Sequence, residues 1–138
     1  MTIRNDVDRD GMSAVGRLVG EALRTMAAAV EPGVTTADLD EVGAGFLRGH
    51  GAESAPQAIY NFPGFCCISV NDEVVHGVPG QRRIERGDVV TLDVTVERDG
   101  YMADAARTVV VDGGVPIAHR LVRCAERAFE AALGVATA

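Results

Sequence analysis

Two aspartates, Asp93 and Asp104, lie inside what reads as a β-hairpin, the stretch VVTLDVTVERDGYMADAARTVVV at 89–111. Strand interiors disfavour aspartate, so the pair asks for a chemical reason. Asp99-Gly100 is the two-residue turn that joins the two strand-like runs. Side chains alternate along a strand, so Val90, Leu92, Val94 and Val96 share one face and Val89, Thr91, Asp93, Thr95 and Glu97 the other. With Arg98 opposite Tyr101, Asp93 faces Ala106 and Thr95 faces Asp104. The two carboxylates then stand on one face as diagonal neighbours, their β-carbons about 7–8 Å apart or less. Carboxylates that close repel unless a cation lies between them. The small residues of ADAA leave room beside Asp104. The chemistry expected of such a pair is binding of one divalent cation, or of two close together. Hard oxygen donors suit Mn, Mg or Co, and Fe or Zn less selectively. The competing reading is an open, solvated sheet face on which both aspartates stand beside Thr91, Thr95 and Glu97.

His76, in VNDEVVHGVPG, is the second polar landmark. It ends an apolar run and precedes Gly77, which permits close backbone approach. A neutral imidazole there can donate to, or accept from, a reacting amide. An ordinary histidine at a strand end fits the same pattern. Cys66 and Cys67 are adjacent and cannot give the C-x-x-C geometry of zinc sites, so a soft metal site with His76 is not expected.

These residues need a frame. Met12, Val15, Val19, Leu23, Met26 and Val30 recur every three or four positions, which predicts an amphipathic helix from about Asp10 to Val30. Pro32 and Gly33 end it. Thr35 as N-cap, with Asp38 at the helix N-terminus, starts a second helix whose buried stripe is Leu39, Val42, Phe46 and Leu47. AESAPQAIYNFPG reads as a loop, FCCISV (65–70) as a short strand, ND (71–72) as a turn, and EVVHGVPG as extended chain. After the hairpin, a last helix runs from about Ile117 to Leu133, with Leu121, Val122, Cys124, Ala125, Ala128, Phe129 and Leu133 on its apolar side. The order predicts an α+β fold with helices covering one face of a mostly antiparallel sheet.

The 138 residues suit one domain, and 47% apolar content suits a globular one. A net charge of −7 argues against nucleic acid and anionic membranes as partners. The charged N-terminal stretch MTIRNDVDRDGM lacks the apolar run of a signal peptide, and no segment is apolar enough to span a membrane. Three cysteines, an odd count, point to a reducing cytoplasm.

Taken together, CISVNDEVVHGVPG (67–80), RGDVVTLDVTVERDGYMADAARTVVV (86–111) and the upstream PGVTTADLDEVGAGFLRGHGA (32–52) resemble the N-terminal half of type I methionine aminopeptidases, members of the pita-bread metallopeptidases. The resemblance implies half of a pita-bread fold, with residues 1–138 a single partial domain whose C-terminal counterpart is absent. It implies removal of the initiator methionine from nascent proteins. Two divalent metal ions (Co, Mn, Fe or Zn), held by five side chains, would act as Lewis acids. Asp93 and Asp104 match the first two of those ligands. His76 matches the histidine that binds the substrate amide, and Phe62 and Cys67 match positions lining the methionine pocket. An aromatic ring and a thiol suit a thioether. The motifs for the other three ligands are not found. His119, Glu126 and Glu130 lie on the last helix and are not expected to replace them. Ala103 stands where glycine is more usual. The partners implied are the N-terminal methionine of a nascent peptide and either a missing C-terminal half or a second copy of the chain. The alternative is a non-catalytic half that binds or dimerises through the sheet edge and apolar surface it leaves uncovered.

Overall fold

The computed structural model describes residues 3–136, so the ends of the 1–138 domain expected from the sequence, including Met1 and Thr2, lie outside the described residues. The elements in chain order are α1 (Asp6–Ala28), α2 (Thr36–Gly49), β1 (Glu53–Ser54), α3 (Ala55–Tyr60), β2 (Cys67–Val70), β3 (Val89–Arg98), β4 (Tyr101–Val110) and α4 (Pro116–Val135).

Helix α1 begins a turn earlier than its apolar periodicity suggests. Asn5 caps it, accepting from the Asp8 N–H at 2.9 Å, and Asp6 and Asp8 meet the positive end of the helix dipole. Helix α2 starts as expected. Thr35 and Asp38 form a reciprocal capping box.

The stretch expected to be a loop instead forms β1 and α3. Ser54 caps α3, Pro56 occupies its first turn, and Asn61 ends it in the left-handed region at φ 54°. Six residues are too few to display a helical period, so only the cap chemistry could have betrayed it.

Strand β3 is the centre of an antiparallel sheet. Strands β1 and β2 pair head to tail along one of its edges, and β4 pairs along the other. Alternation along β3 divides the faces as the sequence predicts. Val90, Leu92, Val94 and Val96 are 0% exposed. They pack with Val15, Val19 and Met26 of α1, Leu39 and Leu47 of α2, and Ile68 and Ile84. Each such side chain contributes about 1.5–3 kcal/mol by leaving water. The opposite face, with Asp93 and Thr95, stays half-buried.

Helix α4 departs from expectation. Of its apolar stripe, Leu121, Phe129 and Leu133 are exposed, at 62%, 66% and 58%, and none is buried; the helix's one buried residue among those described is Ala118, outside that stripe. It meets the rest of the molecule through a shallow groove in which Val122, Ala125 and Phe129 approach Ala106 and Thr108 of β4. The amphipathic period is present, but its apolar face lacks a covering element among the described residues.

Candidate metal and peptide site

The hairpin sets the site. Asp99 and Gly100 both take positive φ, 55° and 84°. Two such residues give the tight turn whose twist matches the flanking strands. The Gly100 N–H donates to the Glu97 carboxylate across the turn. The register is the expected one: Arg98 pairs with Tyr101, Thr95 with Asp104, and Asp93 with Ala106. Asp93 and Asp104 therefore share a face.

Their environments differ. Asp93 is half-buried and Asp104 exposed. Burial pushes the Asp93 carboxyl above the usual carboxylate range. The charge of Asp104 and a hydrogen bond with it push the same way, while His76 pulls against them. Asp104 Oδ1 accepts from the Thr95 hydroxyl at 2.8 Å, which aims the carboxylate across the sheet face.

As a donor set the pair fits part of a divalent-cation shell: two hard carboxylates on adjacent strands, one raising the other's affinity for positive charge. Among the described residues, no group of three or more His, Cys, Asp or Glu side chains comes together to hold a metal ion. The described residues thus offer two carboxylate donors and not a closed site.

Beside Asp93 opens a cavity of about 450 Å³. Phe62, Cys67, His76 and Asp93 all line it, with Thr95 and Met102 on the hairpin side. Ala55, Pro56, Ile59 and Tyr60 of α3 form the far wall. Asp104 stands outside it, in an adjoining hollow of about 380 Å³ lined by Met12, Thr95, Met102 and Ala103. Thr95 and Met102 are common to both. The α3 wall and Met102 were not singled out from the sequence, since apolar residues carry no chemical signature of their own. A larger open hollow of about 620 Å³ runs along α4 beside Arg120, Arg123 and Arg127 and holds none of these residues.

Cys67 opens β2 directly opposite Asp93. Its thiol is pushed up to about 11, by burial first and then by Asp93, Asp40 and Asp104. Burial likewise raises the Cys66 thiol. Cys66 Sγ sits on the core side, where a β-carbon on Gly43 would come within 3.3 Å of it. Of the two, only Cys67 lines the cavity.

His76 is not on a strand. The segment expected to be extended is a loop pinned at both ends. At its start, Asn71 (φ 59°) donates to Asp88 Oδ1 at 2.8 Å and accepts from the Val89 N–H at 2.9 Å. The Val70 N–H donates to Glu73 Oε2 at 2.7 Å. At its end, the Gly77 N–H donates to the Ser69 hydroxyl at 3.0 Å, and the Ile68 N–H donates to the Gly77 carbonyl at 2.9 Å. A β-carbon on Gly77 would fall 2.2 Å from the Ile68 carbonyl oxygen, so only glycine lets the loop close on β2. His76 itself lies at φ 56°. A non-glycine residue there costs about 1 kcal/mol or more, which the pins on either side offset.

This architecture is half of a pita-bread fold, and it carries its carboxylate pair on the hairpin beside an apolar cavity. Residues 10–138 match the model of metallopeptidase family M24, and the chain belongs to that family. Within it, the chain is 42% identical over 139 residues to methionine aminopeptidase 2 of Bacillus subtilis, covering 100% of this chain and 56% of that protein. Among solved structures, methionine aminopeptidase from Thermotoga maritima superposes with a TM-score of 0.94 at 28% identity, covering 99% of this chain and 55% of that one. The enzyme from Rickettsia prowazekii gives 0.83 at 35% identity, covering 89% and 50%. The chain spans about half the length of the relatives it matches.

Proposed function

We propose that this chain is the N-terminal half, residues 1–138, of a cytoplasmic methionine aminopeptidase that removes the initiator methionine from nascent proteins. The observation that carries the reading is the convergence of Phe62, Cys67, His76 and Asp93 on one cavity, with Asp104 on the same sheet face. Phe62 and Cys67 take the methionine side chain, and the exposed ring edge of His76 binds the scissile amide. Asp93 and Asp104 hold divalent metal through their carboxylates, with the Thr95 hydroxyl fixing one oxygen of Asp104. Two ions of the Co, Mn, Fe or Zn kind supply Lewis acidity toward the scissile carbonyl when bound. The remaining ligands come from a second half, in the same or another chain.

A second reading has its own observation. The outer edge of β4 has no strand partner among the described residues, and the apolar face of α4 is exposed. Such surfaces suit a non-catalytic module that binds or dimerises, including pairing with a second copy.

The test is the protein taken from its native cell through a tag at its own locus. Its intact mass is measured, and so is release of methionine from a peptide beginning with Met, with and without a chelator. Metal-dependent release is expected, and Asp104→Asn should lower it about 100-fold or more by removing a ligand. Unchanged turnover in Asp104→Asn would sink the metal assignment. No release at all, with a mass near that of 138 residues, would leave the binding module.

A further inference from the structure

Helix α2 carries an acidic side chain that has no part in the proposed chemistry. Asp40 is half-buried and faces the chain between α3 and β2. Its Oδ1 accepts from the Phe65 N–H at 3.0 Å and from the Cys66 N–H at 2.7 Å, and its Oδ2 accepts from the Phe65 N–H at 3.0 Å. Two successive N–H groups thus converge on one carboxylate. They precede β2 and lie outside its ladder, so they need such an acceptor. The bonds are charge-assisted and stronger than neutral ones.

The same short segment is held from its other side. Ser54, buried at the N-terminus of α3, donates its hydroxyl to the Phe65 carbonyl at 2.7 Å. It also accepts from the Gln57 N–H at 3.3 Å. The Arg48 guanidinium of α2 stands 5.0 Å from the Phe65 ring centre. Phe65 and Cys66 form a strap tied to α2 by Asp40 and to α3 by Ser54. One residue beyond the strap is Cys67, opposite Asp93. Three residues before it is Phe62. Cys67 therefore follows directly on a peptide whose position Asp40 sets, whereas the Phe62 N–H is held by the Pro56 carbonyl of α3 at 3.2 Å.

We propose that Asp40 is a positioning residue of the cavity. Its carboxylate fixes the Phe65–Cys66 backbone so that Cys67 stands beside Asp93. It acts through the backbone and not by touching substrate. The inference rests on the reading of this cavity as the methionine pocket, but its first test does not need activity.

That test is alkylation of the folded chain by iodoacetamide, located by fragment-ion mass spectrometry, in the parent, Asp40→Asn and Asp40→Ala. Loss of the strap should speed modification of Cys67 about tenfold in Asp40→Ala, with Asp40→Asn between. Cys124, exposed on α4, is the internal control for the reagent, and the thermal melt of each variant reports whether the fold holds. An unchanged rate at Cys67 overturns the proposal. So does a rise at Cys67 that comes only with loss of the cooperative melt, which would make Asp40 a general support of the fold. In the active protein from its native cell, Asp40→Asn should raise KM for a Met-initiated peptide about tenfold while kcat changes about threefold at most. Equal KM values in parent and variant also count against it. If the parent releases no methionine, the proposed activity falls while the labelling rates still decide the role of Asp40.

Discussion

Asp93 and Asp104 are matched in chemistry and unequal in setting. In the folded chain burial and Asp104 raise the Asp93 carboxyl, so the folded state holds a proton more readily than the unfolded one. By linkage, stability is greatest below the ordinary carboxylate value, falls as pH rises through that value toward the folded one, and stays lower above it. Asp93→Asn removes the penalty. Without metal it should melt higher than the parent at pH 7, with the gap closing below about pH 3. In the protein complete with its second half, a divalent ion should stabilise the parent and not the variant. If both respond alike, Asp93 is no ligand. His76→Ala should leave metal affinity close to the parent value and slow methionine release by about 10²–10⁴-fold, measured by titration and turnover on one preparation. Loss of the metal would show that the imidazole has another role. The aspartates were legible in the sequence because each breaks a strand rule. Phe62 and Cys67 were legible only through resemblance. Tyr60 and Met102 gave no signal, since an apolar wall residue looks like any other. Asp40 was silent too: its partners are 25 and 26 residues away and are backbone groups.

At the level of elements, what could be read was what is locally encoded. The T-x-x-D start of α2 forms as a capping box, with the Thr35 hydroxyl accepting from the Asp38 N–H at 3.0 Å and Asp38 accepting from the Thr35 N–H at 2.9 Å. Thr35→Ala should cost about 1 kcal/mol in denaturant unfolding. The hydrogen bonds from Thr35 hold the Asp38 carboxyl below its usual range. A lowered carboxylate contributes stability above the ordinary value and loses it as pH falls toward the folded one. The cost of Thr35→Ala should therefore shrink in acid, and a cost that is constant with pH would contradict the box. The hairpin was equally local, and its register followed from one turn. The loop carrying His76 was not, because its pins come from Ser69, Asp88 and Val89, which only the fold brings near. Helix α3 was hidden by its brevity.

The whole molecule shows what a pattern cannot encode, namely what covers a face. The period of α4 identifies its apolar side, yet Leu121, Phe129 and Leu133 stand in solvent. The outer edge of β4 is unpaired among the described residues. Uncovered apolar surface and a free strand edge promote association. Sedimentation of the isolated chain should show mass rising with concentration, and Phe129→Glu should shift that curve toward the monomer. A chain that stays monomeric at high concentration would mean that α4 finds cover in some other way. Among the described residues, no helix is long and apolar enough to cross a membrane.

The Asp99-Gly100 turn has a consequence for how such a gene can vary. Strand faces repeat every two residues, so one codon added or lost between Arg98 and Tyr101 would slip β4 by a single step and carry Asp104 to the side of Val94 and Val96. Both aspartates would still be spelled in the reading frame, and no comparison of residue identities would look alarming. Substitutions within the turn are a matter of degree, whereas its length is all or nothing. In this stretch, tolerance to a changed letter and tolerance to a changed count are separate quantities, and only the second decides whether the two carboxylates meet.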